Sequence, residues 1–222
     1  MIDVAAAGPA ELKATLAGVD FIVSVVTATV LGLQRVLFEA AKEAGVKRVI
    51  PSDFATTCPP GVRDLHDQVP ADAPCSPTPR CFDLTACPLQ KLAIRNHIQA
   101  LGIPYTFIDV GWWMQLAFPS PPAVTADRPL LASLNAVFGS GAKKNALTNL
   151  EHVGDYVARV LQDERTINQA VFFWEAEPTA QEIWDAVERT SGDVAAIQAQ
   201  RRHVRAILCQ LPSWLLMGAM GR

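Results

Sequence analysis

The chain has 222 residues, half of them apolar, and a formal net charge of −3. This length allows one large domain or two small ones, and the composition is sufficient for a sizeable core. The small net charge, without a block of like charges, argues against nucleic acid or an anionic membrane as the main partner. No apolar run reaches the roughly 18 residues of a membrane span, and no signal peptide is visible, so a soluble, cytoplasmic protein is expected.

The cysteines predict neither a disulfide framework nor a metal site. Their number is odd, they form no tight pairs, and none has the spacing of zinc ligands. Reduced thiols in an intracellular protein are therefore expected. The five are Cys58, Cys75, Cys81, Cys87 and Cys209.

The first fifty residues predict a βαβ unit. Residues 21–26 form an apolar, β-branched run without alternation, which is typical of a strand covered on both faces of a parallel sheet. The next segment has apolar residues at helical spacing and reaches Gly45, a typical helix end. Residues 46–50 then predict a second strand, which Pro51 ends. Such a unit should be parallel and right-handed.

Three residues follow directly after that second strand. Ser52, Asp53 and Phe54 stand at its carboxyl end, where open α/β sheets bind their ligands. They are therefore candidate ligand contacts. The alternative is a simple turn, because Pro, Ser and Asp all favour turns.

A further helix is predicted to end at Gly102 and to carry Lys91 on the same face as Ile94. A lysine on an apolar stripe is costly unless it reaches a cleft or a partner. Lys91 is therefore a candidate general acid or base, or an anchor for a cofactor hydroxyl. Alternatively, its ammonium extends to solvent at the helix N-terminus.

Residues 104–110 predict a third buried strand, which Gly111 follows. Asp53 and Asp109 then end neighbouring strands and could approach each other as paired carboxylates. The sequence shows no third group that would complete such a site.

The character of the chain changes after Pro119, and Pro121 and Pro122 mark a plausible boundary. We therefore predict a nucleotide-binding domain over residues 1–118 and a smaller subdomain over 119–222. Within the second part, capping-box spacing predicts helix starts at Thr148 with Glu151 and at Thr179 with Glu182.

Several segments resemble one family. Residues 40–54, AAKEAGVKRVIPSDF, are similar to the "AAKEAGVKRFIPSEFG" segment of NmrA-like and isoflavone-reductase-like proteins, which are atypical short-chain dehydrogenases. Residues 91–95 and 102–107 are similar to that family's K-x-x-I-R and GIPYT patterns, and residues 152–157 to its "DIG.YV" segment. The resemblance covers residues 2 to about 192, and the motifs are specific when taken together.

The resemblance implies a Rossmann-like α/β fold with a doubly wound parallel sheet, and a smaller α/β substrate-binding subdomain. It also implies an oxidoreductase that uses NADP(H) or NAD(H) on a small aromatic or enone-type metabolite, with Lys91 as the catalytic residue. The alternative is a non-catalytic, redox-sensing regulator or a truncated, cofactor-deficient member. No metal is implied. The implied cofactor contacts are Val25, Val26, Thr27, Ser52, Asp53, Phe54, Lys91, Val110, Gly111 and Trp112, and the implied substrate contacts are Trp113 and Phe118.

The chain also departs from the family pattern. Members begin with a strand, a Gly-x-x-Gly-x-x-Gly turn and a helix, whereas residues 2–4 here already resemble the segment that follows them. The first βαβ unit, with the amides that bind the diphosphate, is therefore expected to be missing. Residues 21–26 would then form an apolar sheet edge, and we expect a protein partner to cover it.

Overall fold

The structure is a computed structural model that describes residues 3–55, 86–120, 135–138, 140–192 and 194–204. Cys58, Cys75, Cys81 and Cys209 lie outside these ranges, as does the side chain of Cys87, so the prediction of reduced thiols falls outside the described part. None of the helices within the ranges is both long and apolar enough to cross a membrane.

Short helices and short strands alternate along the chain. The helices are α1 (Pro9–Thr15), α2 (Gln34–Ala44), α3 (Ala86–Leu101), α4 (Met114–Ala117), α5 (Val153–Gln162), α6 (Ala180–Thr190) and α7 (Val194–Gln200). The strands are β1 (Phe21–Val23), β2 (Arg48–Ile50), β3 (Thr106–Asp109), β4 (Trp112–Trp113), β5 (Ala136–Phe138), β6 (Leu147–Thr148), β7 (Gln169–Phe172) and β8 (Arg202–Val204). Turns of 3₁₀ helix span Ala28–Leu33, Leu150–His152 and Glu164–Thr166.

Four of the strands line up in parallel. Strand β1 pairs with β2, and β3 pairs with β7, both in parallel register. A parallel bridge between Val49 and Tyr105 joins the two pairs, so the order is β1-β2-β3-β7. The predicted strand–helix–strand unit is therefore confirmed, although each strand is shorter than its apolar run.

Helices α2 and α3 cover one face of these strands. Phe38 of α2 and Ile98 of α3 are fully buried with Val49 and Phe107 from the strands. Gly45 ends α2 in the left-handed region, with φ 79°, where glycine has no Cβ to clash. The helical periodicity read from the sequence thus gave the correct end and part of the buried face: Ala40 and Ala41 are buried as expected, whereas Val36 of the predicted apolar stripe is 38% exposed and Phe38, outside that stripe, is buried.

The opposite face carries Arg48, because side chains alternate along a strand. Its guanidinium donates to the Leu161 carbonyl at 2.6 Å and to Thr166 Oγ1 at 3.0 Å. These bonds satisfy a carbonyl at the C-terminal end of α5, where a helix leaves its last acceptors unpaired. Arg48 therefore holds α5 to β2.

The described residues fall into two compact units. The first unit consists of Met1–Gly111 with Thr148–Trp174, and the second of Trp112–Leu147 with Glu175–Arg222, in each case within the described ranges. This division differs from the predicted boundary after residue 118, because β7 pairs with β3 and so belongs to the first unit. The second unit has its own core of Val137, Trp184 and Ile197, and a parallel pair formed by β5 and β8.

The two predicted capping boxes had different outcomes. Thr179 and Glu182 form the full reciprocal box at the start of α6. The box predicted at Thr148 is wrong, because Thr148 lies in β6 and its buried hydroxyl donates to the Val110 carbonyl at 2.7 Å. Asn149 caps the following turn instead, and its side chain accepts from the Glu151 amide.

Candidate active site

The loop after β2 is held by a buried glutamine. Gln34 Oε1 accepts from the Ser52 amide at 2.7 Å, and its Nε2 donates to the Leu31 carbonyl at 3.2 Å. Ser52 Oγ donates to the Val26 carbonyl at 2.8 Å, which ties this loop to the end of β1. The sequence did not single out Gln34. Its place one turn before Phe38 on the buried face of α2 was the available signal.

The same loop turns sharply at Asp53. The Asp53 amide donates to the Pro51 carbonyl at 2.8 Å, and Phe54 has a φ of 29°. A positive φ is unfavourable for a bulky side chain, so surrounding contacts must maintain it. Ser52, Asp53 and Phe54 are all buried. The segment is therefore a turn, as the plainer interpretation held, and it also presents main-chain groups at the carboxyl end of β2.

Lys91 reaches that turn from α3. Its side chain is half-buried, and its Nζ donates to the main-chain carbonyl of Asp53. The lysine does not extend away from the sheet, so the alternative position predicted from the sequence is not adopted. Its ammonium lies at the carboxyl end of β2, and its catalytic role stays a prediction.

One helical turn further along α3, Arg95 bridges two carboxylates. Its Nε donates to Asp53 Oδ2 at 2.9 Å, and its Nη2 donates to Asp109 Oδ1 at 2.7 Å. The guanidinium carbon lies 4.8 Å from the centroid of the Phe107 ring, a cation–π distance. Asp53, Arg95 and Asp109 form what we call the carboxylate–arginine cluster. Sequence reasoning anticipated the two carboxylates and missed the arginine between them.

Burial dominates the electrostatics of this cluster. The side chains of Asp53 and Arg95 are only 2% and 9% exposed. Burial raises the pKa of Asp53 from 3.8 to about 6, against the lowering effect of the Arg95 charge. The negative charge of Asp109 raises this pKa further, and the positive charge of Lys91 lowers it.

The other predicted cofactor contacts in the first unit follow the ends of β1 and β3. Val25 and Thr27 are exposed after β1, and Val26 is half-buried. Val110 has a fully buried side chain, its amide donates to the Ala55 carbonyl at 3.3 Å, and its carbonyl accepts from Thr148 Oγ1 at 2.7 Å. Its predicted contact with a cofactor stays a prediction. Gly111 is buried with a φ of 66°, a conformation that suits glycine.

Trp112, Trp113 and Phe118 belong to the second unit. Trp112 and Phe118 are exposed, and Trp113 is half-buried. In the sequence, helix α4 separates the two tryptophans from Phe118. Their predicted contacts with cofactor and substrate stay predictions. Within the described ranges, no group of three or more His, Cys, Asp or Glu side chains is arranged to hold a metal ion.

Parallel strands that carry helices on both faces, with polar groups gathered at their carboxyl ends, define a Rossmann-like α/β protein. The chain belongs to the NmrA-like family, whose model matches residues 1–204. Both the predicted fold class and the predicted family are confirmed.

Known relatives of the chain include reductases and a dehydrogenase. It is 31% identical over 212 residues to the asnovolin J 5',6'-dehydrogenase nvfM of Aspergillus novofumigatus, which covers 94% of this chain. It is 31% identical over 160 residues to an isoflavone reductase-like protein of Olea europaea, which covers 69% of this chain. The solved structure of AtPrR2 with NADP+ and (+)pinoresinol matches 89% of this chain with a TM-score of 0.60 at 22% identity.

The chain spans about half the length of these proteins. The matched regions cover 56% of the Aspergillus dehydrogenase, 44% of the Olea protein and 59% of the AtPrR2 chain. The activity of a whole relative therefore rests on more residues than this chain matches.

Proposed function

We propose that this chain contributes the nicotinamide side and the proton-transferring lysine of an NAD(P)(H)-dependent oxidoreductase that acts on a small aromatic or enone-type metabolite. The observation that carries the proposal is the position of Lys91, whose ammonium lies on the turn at the carboxyl end of β2. Ligands of open α/β sheets bind at that end. The family membership and the oxidoreductase relatives agree with this reaction class.

The described residues fit one part of such a cofactor. Val25 and Thr27 are exposed after β1, and the Ser52–Asp53 turn follows β2, so a nicotinamide ring and its ribose would bind at the ends of these two adjacent strands. The sequence contains no Gly-x-x-Gly-x-x-Gly turn, which is the element that would hold the diphosphate. When bound, NADP(H) supplies the hydride.

Lys91 supplies the proton in this proposal. A positioned ammonium can donate a proton to an oxygen that gains negative charge during reduction. The hydrogen bond to the Asp53 carbonyl fixes the direction of Nζ, and a fixed donor needs little reorganisation in the transition state.

The first experiment is a titration of the chain with NADPH, followed by calorimetry or by cofactor fluorescence. We expect saturable binding. An absence of binding at about 1 mM NADPH would mean a binding free energy weaker than about −4 kcal/mol, and it would contradict the proposal that this chain contributes the nicotinamide side of a cofactor site.

The second experiment compares Lys91→Ala with Lys47→Ala in turnover of a panel of aromatic and enone compounds. Lys47 is a matched control, because it is an exposed lysine of the same unit, just before β2, and pairs with Asp20 at 2.8 Å. Lys91→Ala should lower kcat by about 10²–10⁴-fold, the usual contribution of a general acid, while the NADPH affinity stays within about tenfold. Unchanged turnover would remove Lys91 from the mechanism.

The same panel distinguishes an enzyme from a redox-sensing regulator. If NADPH binds and no compound in the panel is reduced, the regulator becomes the better description. Its signature would then be a different affinity for NADPH and NADP+ together with binding to a partner protein.

A partner is also proposed for the edge at β1. Among the described residues, β1 pairs only with β2, and Phe21 and Val25 are 45% and 77% exposed. Apolar sheet edges of this kind favour association. We expect another polypeptide, either a second copy of the chain or a partner protein, to cover this edge. In sedimentation experiments the chain alone should therefore self-associate. A clean monomer with a sharp unfolding transition would contradict this expectation.

A further inference from the structure

Lys91 and Arg95 both lead from α3 to the same residue. Lys91 donates to the Asp53 main-chain carbonyl, and Arg95 donates to the Asp53 carboxylate. They stand four residues apart, which places them on one face of the helix. Asp53 therefore accepts hydrogen bonds from both side chains, from Lys91 at its main-chain carbonyl and from Arg95 at its carboxylate.

We propose that Arg95 is a positioning residue for Lys91, because it fixes the Asp53 turn that receives the lysine ammonium. The planar guanidinium offers donors in a rigid fork, and here the fork meets carboxylates from the ends of two neighbouring strands. The turn is thereby anchored to β3 through Asp109 as well as to β2. Its catalytic consequence rests on the proposed function, whereas its effect on the lysine does not.

The turn needs such an anchor. Phe54 has a positive φ, a conformation that its own side chain disfavours. The Asp53 and Asp109 carboxylates repel each other, and without a cation between them the strand ends would separate or one group would take up a proton. Gln34 holds the turn only at Ser52, one residue before Asp53. Arg95 is thus the side chain that fixes Asp53 itself.

The charges that face this turn come from three elements. Asp53 follows β2, Asp109 ends β3, and Lys91 and Arg95 project from α3. A change at Arg95 must therefore alter the surroundings of Lys91, whereas the lysines at α1 and at the start of β2 are unaffected.

The test measures how fast each lysine is acetylated by an amine-reactive ester, with peptide mapping by mass spectrometry. It compares wild type, Arg95→Lys and Asp109→Asn, and uses Arg35→Gln, an exposed arginine of α2, as the control. In Arg95→Lys the Lys91 rate should rise about tenfold, as expected when a hydrogen bond from a charged group is lost. Lys13 and Lys47 should keep their wild-type rates, and Asp109→Asn should give an intermediate rise at Lys91.

The outcomes separate positioning from folding. A rise at all lysines in Arg95→Lys would mean that the variant unfolds, and Asp109→Asn, a nearly isosteric change, then decides. An unchanged Lys91 rate in a variant that keeps wild-type rates at Lys13 and Lys47 would overturn the proposal. A rise at Lys91 in the Arg35→Gln control would overturn it as well.

This experiment needs neither cofactor nor turnover, so its failure is distinct from a failure of the proposed oxidoreductase function. If turnover is found, Arg95→Lys should lower kcat and leave the NADPH affinity unchanged. A fall in NADPH affinity with an unchanged kcat would assign Arg95 to cofactor binding instead.

Discussion

Two carboxylate–arginine pairs in the first unit have similar contact distances and opposite electrostatics. Asp53 meets Arg95 at 2.9 Å, and Asp163 meets Arg165 at 2.6 Å. The pKa of Asp53 is raised to about 6, mainly by burial, whereas that of Asp163 is lowered to about 2 by hydrogen bonds from the Arg165 side chain and main chain. The side chains of Asp163 and Arg165 are 33% and 90% exposed. Access to water, and not contact distance, decides what such a pair does.

The largest effect should come from Arg95→Met. Removing the cation deprives the buried Asp53 carboxylate and the half-buried Asp109 carboxylate of the arginine they share, which costs about 3–5 kcal/mol in the free energy of unfolding. Arg165→Met removes a contact of 2.6 Å from the surface and should lower the free energy of unfolding by a much smaller amount. Denaturant titration of both variants checks this, and equal losses would break the comparison.

The next effect concerns pH. Because the pKa of Asp53 is raised above its unfolded value, the native state binds its proton more readily than the unfolded state does. This group therefore favours the native state most below about pH 4, and that contribution is lost as the pH rises through about 6. Between low pH and neutral pH, this group changes the free energy of unfolding by about 3 kcal/mol, since one pKa unit corresponds to about 1.4 kcal/mol.

Asp53→Asn serves as the control for this titration. The difference in unfolding free energy between wild type and Asp53→Asn should fall between about pH 4 and pH 7, the window set by the raised pKa, and then stay constant. A difference that grows with pH across that window would show that ion pairing with Arg95 outweighs burial.

A third test compares a buried and an exposed uncharged side chain, so that burial differs and charge plays no part. Gln34→Ala leaves the buried Ser52 amide without its acceptor, at a cost of about 1–3 kcal/mol. Gln99 is an exposed glutamine on α3 that donates to the Tyr105 hydroxyl at 3.0 Å, and Gln99→Ala should cost no more than about 0.5 kcal/mol. Similar costs for the two variants would mean that burial is not the deciding factor.

The smallest effect is expected at Asp163. Because its pKa is lowered, this carboxylate stabilises the native state above about pH 4, and the contribution is lost as the pH falls through about 2. Asp163→Asn should therefore be less stable than wild type at pH 5 and equally stable at pH 2, so the difference between the two proteins disappears as the pH falls, outside the window of Asp53. Thermal unfolding of both proteins at pH 2, 5 and 7 would show it, and a further change in this difference between pH 5 and pH 7 would contradict the assignment.

The sequence predicted the elements of the parallel sheet well, because burial leaves a periodic trace. The end of α2 at Gly45 and its buried alanines, Ala40 and Ala41, were predicted, and so was the carboxyl-end location of Ser52 and Asp53. The boundary between the units was not readable, because the pairing of β7 with β3 depends on residues more than 50 positions apart and leaves no local signal.

The site was predicted less completely for a different reason. Lys91 was singled out as a candidate because a lysine stands out on an apolar stripe, and family resemblance supported this choice. Arg95 lies four residues later on the same face, and it was recognised only as the last residue of the K-x-x-I-R pattern, without its two carboxylate partners. Gln34 was missed altogether. Polar residues that satisfy each other inside a protein interrupt the apolar pattern on which such reading depends.

The position of β7 has a consequence for the order in which the first unit can form during synthesis. Its partner β3 is synthesised about 60 residues earlier. The hydrogen bond from the Thr106 hydroxyl to the Thr166 carbonyl can form only after those 60 further residues have been synthesised. Residues of the second unit leave the ribosome in between. Until β7 emerges, β3 presents an unpaired apolar edge, and nascent chains with such edges are the ones that chaperones bind.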